Sequence, residues 1–181
     1  ADNFDNRTLQ PGGDGQADFQ GERFVYFGDQ ANMPYGNYSQ AGGAEYLRGL
    51  VLRDAVFLLG RRVRESAGAT QPVLTKPPVK AIVIACNTAS AAAFKEVSKK
   101  LAHIPVVNVI DPIVAYVAQN KSHHKIGVIG TKRTIGSNVY QKKLKQKIKN
   151  AQVTAVATPL LAPMIEEGFF NNKISQAVIN S

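Results

Sequence analysis

The chain has 181 residues, 44% of them hydrophobic, with 22 Lys and Arg against 13 Asp and Glu and a formal charge of +9. That length buries a real core as one domain or two small ones, and the composition is that of a globular protein. A single cysteine excludes an internal disulfide framework and agrees with a reducing cytosol, so a cytoplasmic location is expected. No apolar run reaches the roughly 20 residues that span a bilayer as a helix, so no membrane partner is expected. The opening Ala1-Asp2-Asn3-Phe4-Asp5-Asn6 lacks the basic flank and apolar stretch of a signal peptide. The positive charge makes nucleic acid a partner to weigh.

Residues 1–22 are polar, with Pro11-Gly12-Gly13-Asp14-Gly15 as a turn cluster, and read as a loop or insertion. Phe24–Phe27 reads as a short strand that runs into Gly28-Asp29-Gln30 and a loop ending Pro34-Tyr35-Gly36. Leu47, Leu50, Val51, Ala55, Leu58 and Leu59 recur at three- and four-residue spacings, which predicts a helix over about 44–65. Arg48, Arg53, Arg61, Arg62 and Arg64 fill most of its other face. Gly68, Pro72, Pro77 and Pro78 mark 67–78 as a linker.

Strands and helices then alternate. Strands are predicted at Ala81–Ala85, Val106–Ile110, Lys125–Gly130 and Val153–Ala157. Helices are predicted over about 88–101 and 134–149, with helical segments near 160–167 and 174–181. Pro112 suits a first helical turn. This alternation predicts an α/β fold with a mostly parallel sheet and crossover helices. The chain opens in a loop and stops inside a helical pattern without a Gly cap or Pro stop, which predicts a fragment of a longer protein.

Cys86 is the first candidate for chemistry. It ends an apolar strand and precedes Asn87-Thr88 at a helix start. Open α/β sheets place ligands at such carboxyl-end strand tips. A thiol there stands at the positive end of a helix and is a candidate nucleophile or base. The ordinary alternative is a small buried core residue. Thr88 could cap the helix, and the backbone N–H groups of this turn could hold a carboxylate.

A second strand-to-helix turn follows Gly130, with Thr131 and Thr134 on one side of a first helical turn. Helix capping is their ordinary role, and the spacing is not that of a P-loop. Glu166-Glu167 before Gly168 reads most simply as a solvated helix end. Lys142, Lys143, Lys145, Lys147 and Lys149 alternate with Val139, Leu144 and Ile148 as on a solvated amphipathic helix. Few aromatics interleave with them, so nucleic acid is not the expected partner. No Cys/His/Asp cluster has metal-ligand spacing, and no metal is expected.

Four blocks, in order, resemble the cofactor-independent aspartate/glutamate racemases, glutamate racemases most closely. They are Tyr26-Phe27-Gly28-Asp29 through Pro34-Tyr35-Gly36; Ala85-Cys86-Asn87-Thr88-Ala89; Val128-Ile129-Gly130-Thr131 through Thr134 and Tyr140; and Pro159 through Pro163 to Glu166-Glu167-Gly168. The last looks like the family's acidic helix start. The resemblance implies two α/β domains, here 1–107 and 108–181 and both incomplete, with an active site in the cleft between them. It implies interconversion of L- and D-glutamate with no cofactor, supplying D-glutamate for peptidoglycan. Two cysteines would face opposite sides of the α-carbon, and Cys86 would deprotonate the D-enantiomer. Asn87, Thr88, Thr131 and Thr134, with Pro34, Tyr35 and Gly36, would bind the substrate's amino and carboxylate groups. Glu166 would lie by the second cysteine and orient the donor that serves it. The expected partner is a small amino acid, and a homodimer is an open option.

The chain departs from the family pattern at three places. The second cysteine, expected in a Gly-Cys-Thr-His type motif, is absent. The opening Asp-Ser-Gly strand is missing, since Phe4-Asp5-Asn6 carries Asn6 in place of serine. Gln30 stands where a small hydroxyl residue is usual. The chain alone is therefore expected not to racemise. Two other readings remain: an aspartate or hydantoin racemase, and a cysteine hydrolase drawing on His103 as base. A basic binding module built on the lysine-rich helix is a third.

Overall fold

The computed structural model describes residues 21–59, 79–119, 124–169 and 172–180, together with the backbone of four strand dipeptides. Those dipeptides are β1 (Phe4–Asp5), β2 (Gln10–Pro11), β3 (Val63–Arg64) and β4 (Val73–Leu74), which form two antiparallel pairs. The helices are α1 (Gly43–Leu59), α2 (Asn87–Lys100), α3 (Ile110–Gln119), α4 (Lys132–Gly136), α5 (Val139–Lys147), α6 (Leu161–Glu166) and α7 (Lys173–Ile179). Two parallel pairs carry the α/β character: β5 (Ile82–Ile84) with β6 (Val106–Asn108), and β7 (Lys125–Gly130) with β8 (Gln152–Ala157). Helices α2 and α5 are the crossovers, as parallel strands require.

The first core lies between α1, α2 and β5. Ile82 and Ile84 are buried while Val83 is exposed, the period of two expected of a strand with one covered face. Leu47, Val51 and Ala55 of α1 pack with Ala89, Ala93 and Val97 of α2. Two alanines spaced by four let the helices approach closely. Burying a side chain such as Leu47 or Val97, both 0% exposed, stabilises by roughly 1.5–3 kcal/mol. The second core joins Ile110 and Val114 of α3 to Leu144 and Ile148, with Ile126, Val128 and Val153 of the β7/β8 pair against them.

Several expectations are corrected. Phe24–Phe27 is not a strand. A strand exists by pairing, and no described strand runs beside it; Phe24 and Tyr26 are exposed, while Phe27 stacks on Phe57 at 4.8 Å. The helix over 44–65 is shorter, because Val63–Arg64 is committed to a ladder with Val73–Leu74. Arg61, Arg62 and most of the 1–22 and 67–78 segments lie outside the described residues. The strand expected over Val106–Ile110 ends at Asn108, whose buried Oδ1 accepts the N–H groups of Ile110 and Asp111, both at 2.9 Å, and so starts α3 early.

The single helix expected over 134–149 is two, α4 and α5. Asn138 between them is left-handed at φ 57°, a conformation asparagine tolerates. Ser137 Oγ donates to the Thr134 carbonyl at 2.6 Å and accepts from Val139 N–H at 3.3 Å, in competition with the helical ladder.

Helix α5 is fastened to α3 by Lys143, whose ammonium lies 2.5 Å from Asp111. Burial pushes the Asp111 carboxyl up, but hydrogen bonds from Lys143 and Asn108 and the charge of Lys143 outweigh it and hold it below its ordinary value. A carboxyl lowered in the folded state stabilises above its unfolded value near 3.9, and that contribution fades as pH falls through the folded value. Side chains 31% and 45% exposed keep the pair weak. Lys143→Met is expected to cost about 0.5–1 kcal/mol at pH 7, with the difference closing as pH falls below about 4, as read from urea melts. Among the described residues no helix is long and apolar enough to cross a membrane.

Candidate active site

Strand β5 delivers the chain to Cys86 two residues beyond Ile84. Cys86 is extended, at φ −110° and ψ 128°, and is itself the N-cap of α2: its Sγ accepts the Ala89 N–H at 3.5 Å. Ser90 Oγ donates to the Ile84 carbonyl at 2.9 Å and ties the first helical turn back to the strand. The sulfur is thus held at the positive end of a 14-residue helix while the residue remains exposed. Since the cysteine is the cap, the Thr88 hydroxyl is not used for that purpose.

Thr88 instead reaches the start of α4. Its Oγ1 stands 3.0 Å from Thr131 Oγ1 and 3.2 Å from Thr134 Oγ1. Thr131 Oγ1 donates to Thr134 Oγ1 at 3.0 Å and accepts the Thr134 N–H at 3.2 Å, so it also N-caps α4. Thr88 and Thr134 are both buried. Three hydroxyls carry three protons, enough to close a ring of hydrogen bonds around the triangle. An incoming carboxylate can draw one of those protons outward by rotation of a hydroxyl, without moving the backbone.

Three further groups frame this centre. Pro34 and Gly36 line the same cleft, and a Cβ at Gly36 would stand 3.0 Å from Thr131 Cγ2, so any larger residue would have to push the threonine side chain by a few tenths of an ångström. Asn87 opens α2, and its Oδ1 accepts the Tyr140 hydroxyl at 2.5 Å. Burial raises the Tyr140 phenol above its ordinary value, so it remains a donor. Glu166 of α6 also lines the cleft. It is the last residue of α6, so the acidic pair ends that helix and does not start it.

The cleft has a volume of about 930 Å³ and brings together Pro34, Gly36, Cys86, Asn87, Thr88, Thr131, Thr134 and Glu166. Tyr35 is the exception. Its hydroxyl donates away from the cleft, toward Asp29 Oδ2 at 2.8 Å and Asp54 Oδ2 at 3.0 Å. Lys132 and Tyr140 also line the cleft and were not among the expected site residues. Tyr140 meets Asn87 across 53 residues of sequence, which no local spacing signals. Lys132 is signalled only as the residue after Thr131.

The arrangement offers one thiol beside a set of hydroxyl and amide groups at two helix N-termini. That set suits a small anion with a C–H bond turned toward the sulfur. Among the described residues no group of three or more His, Cys, Asp or Glu could hold a metal ion. His103 stands in the turn after α2, at the opposite end of that helix from Cys86. At 1.5 Å per residue the separation is roughly 20 Å or more, too far for a hydrolase pair. Leu144 of the lysine-rich α5 is buried in the second core, the packing expected of a solvated amphipathic helix.

Comparison with known proteins finds relatives of this chain. The glutamate racemase of Chlorobaculum tepidum is 34% identical over 163 residues, 90% of this chain and 53% of that protein. The glutamate racemase of Streptococcus pneumoniae is 35% identical over 158 residues, 87% of this chain and 52% of its own. The chain therefore spans about half the length of the curated relatives it matches. Among solved structures, the Francisella tularensis glutamate racemase in complex with D-glutamate superposes with a TM-score of 0.66 at 33% identity, covering 84% of this chain and 49% of that one. The Aquifex pyrophilus glutamate racemase gives 0.63 at 38% identity, covering 85% and 52%. The Asp/Glu/hydantoin racemase profile matches residues 55–180, more than half of the chain and inclusive of the Cys86 turn and the threonine triangle: the chain belongs to the Asp/Glu/hydantoin racemase family.

Proposed function

We propose that the protein carrying this chain interconverts L- and D-glutamate by two-thiol acid/base chemistry, with Cys86 serving the D-face. The observation that carries this reading is the Cys86 thiol capping α2 beside the Thr88–Thr131–Thr134 triangle. An amino-acid α-proton is very weakly acidic. Removing it needs a dry, preorganised set of donors for the carboxylate and the enolate-like charge that develops on it. Inversion needs an acid and a base on opposite faces of the α-carbon. Here the Cys86 thiolate takes the α-proton of D-glutamate. Asn87, Thr88, Thr131 and Thr134, with the Pro34–Gly36 turn, hold the amino and carboxylate groups. Glu166, across the cleft, stands near the opposite acid/base and orients its proton donor.

The buried hydrophobic residues support a division near 107/108: those of one cluster run through Leu101 and those of the next start at Ile110, with Ala91 of α2 packed against the second. The D-glutamate would feed peptidoglycan assembly, and two copies of the protein would pair as a homodimer. Cys86 is the only cysteine of the 181 residues, so the opposing acid/base comes from outside them. The 181-residue chain alone is expected to show no racemisation, followed by circular dichroism of D-glutamate, where the longer protein racemises fully. Rates from the isolated chain near those of the longer protein would refute the two-thiol scheme. Glutamate is separated from aspartate by α-deuterium incorporation in heavy water, expected for glutamate at least tenfold faster, a discrimination of about 1.4 kcal/mol.

A further inference from the structure

We propose that Tyr35 is a positioning residue: clamped between Asp29 and Asp54, its phenol fixes the Pro34–Gly36 turn against Thr131 and so sets substrate affinity. This rests on the racemase reading above and adds a role for the Tyr35 phenol, which points away from the cleft.

The clamp joins two elements. Asp29 precedes a short 3-10 turn at Gln30–Asn32, and Asp54 lies in the middle of α1. The Tyr35 hydroxyl stands 2.8 Å from the first carboxylate and 3.0 Å from the second. Asn32 Nδ2 donates to both oxygens of Asp29, at 2.7 and 2.9 Å, and Tyr38 Oη donates to the Asn32 carbonyl at 3.0 Å. The loop is thus folded on itself and fastened to α1 by the phenol, by Arg53 to Asp29 at 3.6 Å and by the Tyr38 ring against Tyr46 at 5.5 Å. The ring is half-buried, packs against the first core and meets Tyr38 edge-on at 6.3 Å. Pro34 and Gly36, on either side, face the cleft, and Gly36 lies beside the Thr131 side chain.

The phenol hydroxyl lies between the two carboxylates. One O–H can satisfy one carboxylate. Burial pushes Asp29 up, but Asn32, Tyr35 and the Arg53 charge outweigh it and keep it below its ordinary value, as an anion. Asp54 is raised, by burial first and by the charge of Asp29. The phenol hydroxyl also reaches Asp54, and that hydrogen bond opposes the rise. Arg53 spans the pair, 3.6 Å from Asp29 and 3.3 Å from Asp54, from an exposed position. Without the phenol, two half-buried carboxylates face each other with only Arg53 between them, and the loop loses its hydrogen-bonded tie to α1. A loosened turn must be ordered by the substrate, a cost that appears in binding.

The test is the kcat and KM of the longer protein with D-glutamate, for wild type, Tyr35→Phe, Asp54→Asn and Asp54→Leu. Tyr35→Phe keeps the ring and is expected to raise KM about tenfold with kcat changed less than about threefold, the mark of lost uniform binding. Asp54→Asn, whose carboxamide oxygen can still accept from the phenol, is expected to stay within about twofold of wild type, while Asp54→Leu follows Tyr35→Phe. A purely structural role predicts the same loss from Asn as from Leu and no split between KM and kcat. Should Tyr35→Phe fail to fold, the Asn and Leu pair at Asp54 reads the same split. Racemisation by wild type with an unchanged KM in Tyr35→Phe would overturn the clamp alone. A wild-type protein that does not racemise glutamate would overturn the reading beneath it, and the clamp with it.

Discussion

Cys86→Ser is expected to slow racemisation of glutamate by roughly 10³-fold or more while leaving the melting temperature nearly unchanged. The two halves of this prediction come from the same geometry. Cys86 caps α2 by accepting the Ala89 N–H, and serine is a better cap than cysteine. The helix start and the strand tip therefore survive the substitution. The acid/base does not survive it, because an unassisted hydroxyl is ionised far too little at neutral pH to take an α-proton. A general base contributes about 10²–10⁴-fold, and the upper part of that range applies where the proton is so weakly acidic. Near-wild-type rates from Cys86→Ser would remove the thiol from the mechanism. Loss of folding instead of activity would return it to a structural role.

The second large effect is expected at Thr88. Thr88→Val keeps the shape of a side chain that is 4% exposed and deletes the hydroxyl linking α2 to α4. Thr131 and Thr134 keep their mutual bond and their cap, so the local helix start persists. The triangle loses the only hydroxyl contributed from the Cys86 side. A loss of roughly 30–100-fold in kcat/KM is expected, equal to about 2–2.7 kcal/mol of transition-state stabilisation. The stability cost is about 1 kcal/mol, the usual net value of a buried hydrogen bond. Thr88→Ser restores the hydroxyl and is expected to recover most of the activity. Kinetics of the three variants, with thermal melts alongside, separate the catalytic loss from the structural one.

How much of this was legible in the sequence depends on whether the cause was local. The Cys86 turn and the Gly130–Thr131 turn are each a strand tip running into a helix start, and both features follow from neighbouring residues. The four strands of the two parallel pairs were likewise readable, because Ile82–Ile84 and Lys125–Gly130 are apolar runs bounded by turn signals. Phe24–Phe27 has the same local look and is not a strand, since pairing is a property of a neighbour and not of the segment. The break at Ser137-Asn138 turns on hydroxyl-to-backbone bonds that periodicity does not register.

Side-chain direction was the least legible feature. Pro34, Tyr35 and Gly36 form one motif in sequence, yet the Tyr35 phenol turns to α1 while its neighbours face the cleft. The Thr88 contact to Thr134 and the Tyr140 contact to Asn87 span 46 and 53 residues, and only the folded chain brings them together.

The assignment of Cys86 to one face of the substrate is tested most directly by α-proton exchange in heavy water, one enantiomer at a time, with the longer protein and its Cys86→Ser variant. Each thiol can remove the proton on its own side, exchange it with solvent and return it. In the variant, exchange into D-glutamate is expected to stop while exchange into L-glutamate continues, with its configuration retained. Unchanged exchange into D-glutamate, or equal loss from both enantiomers, would contradict the assignment.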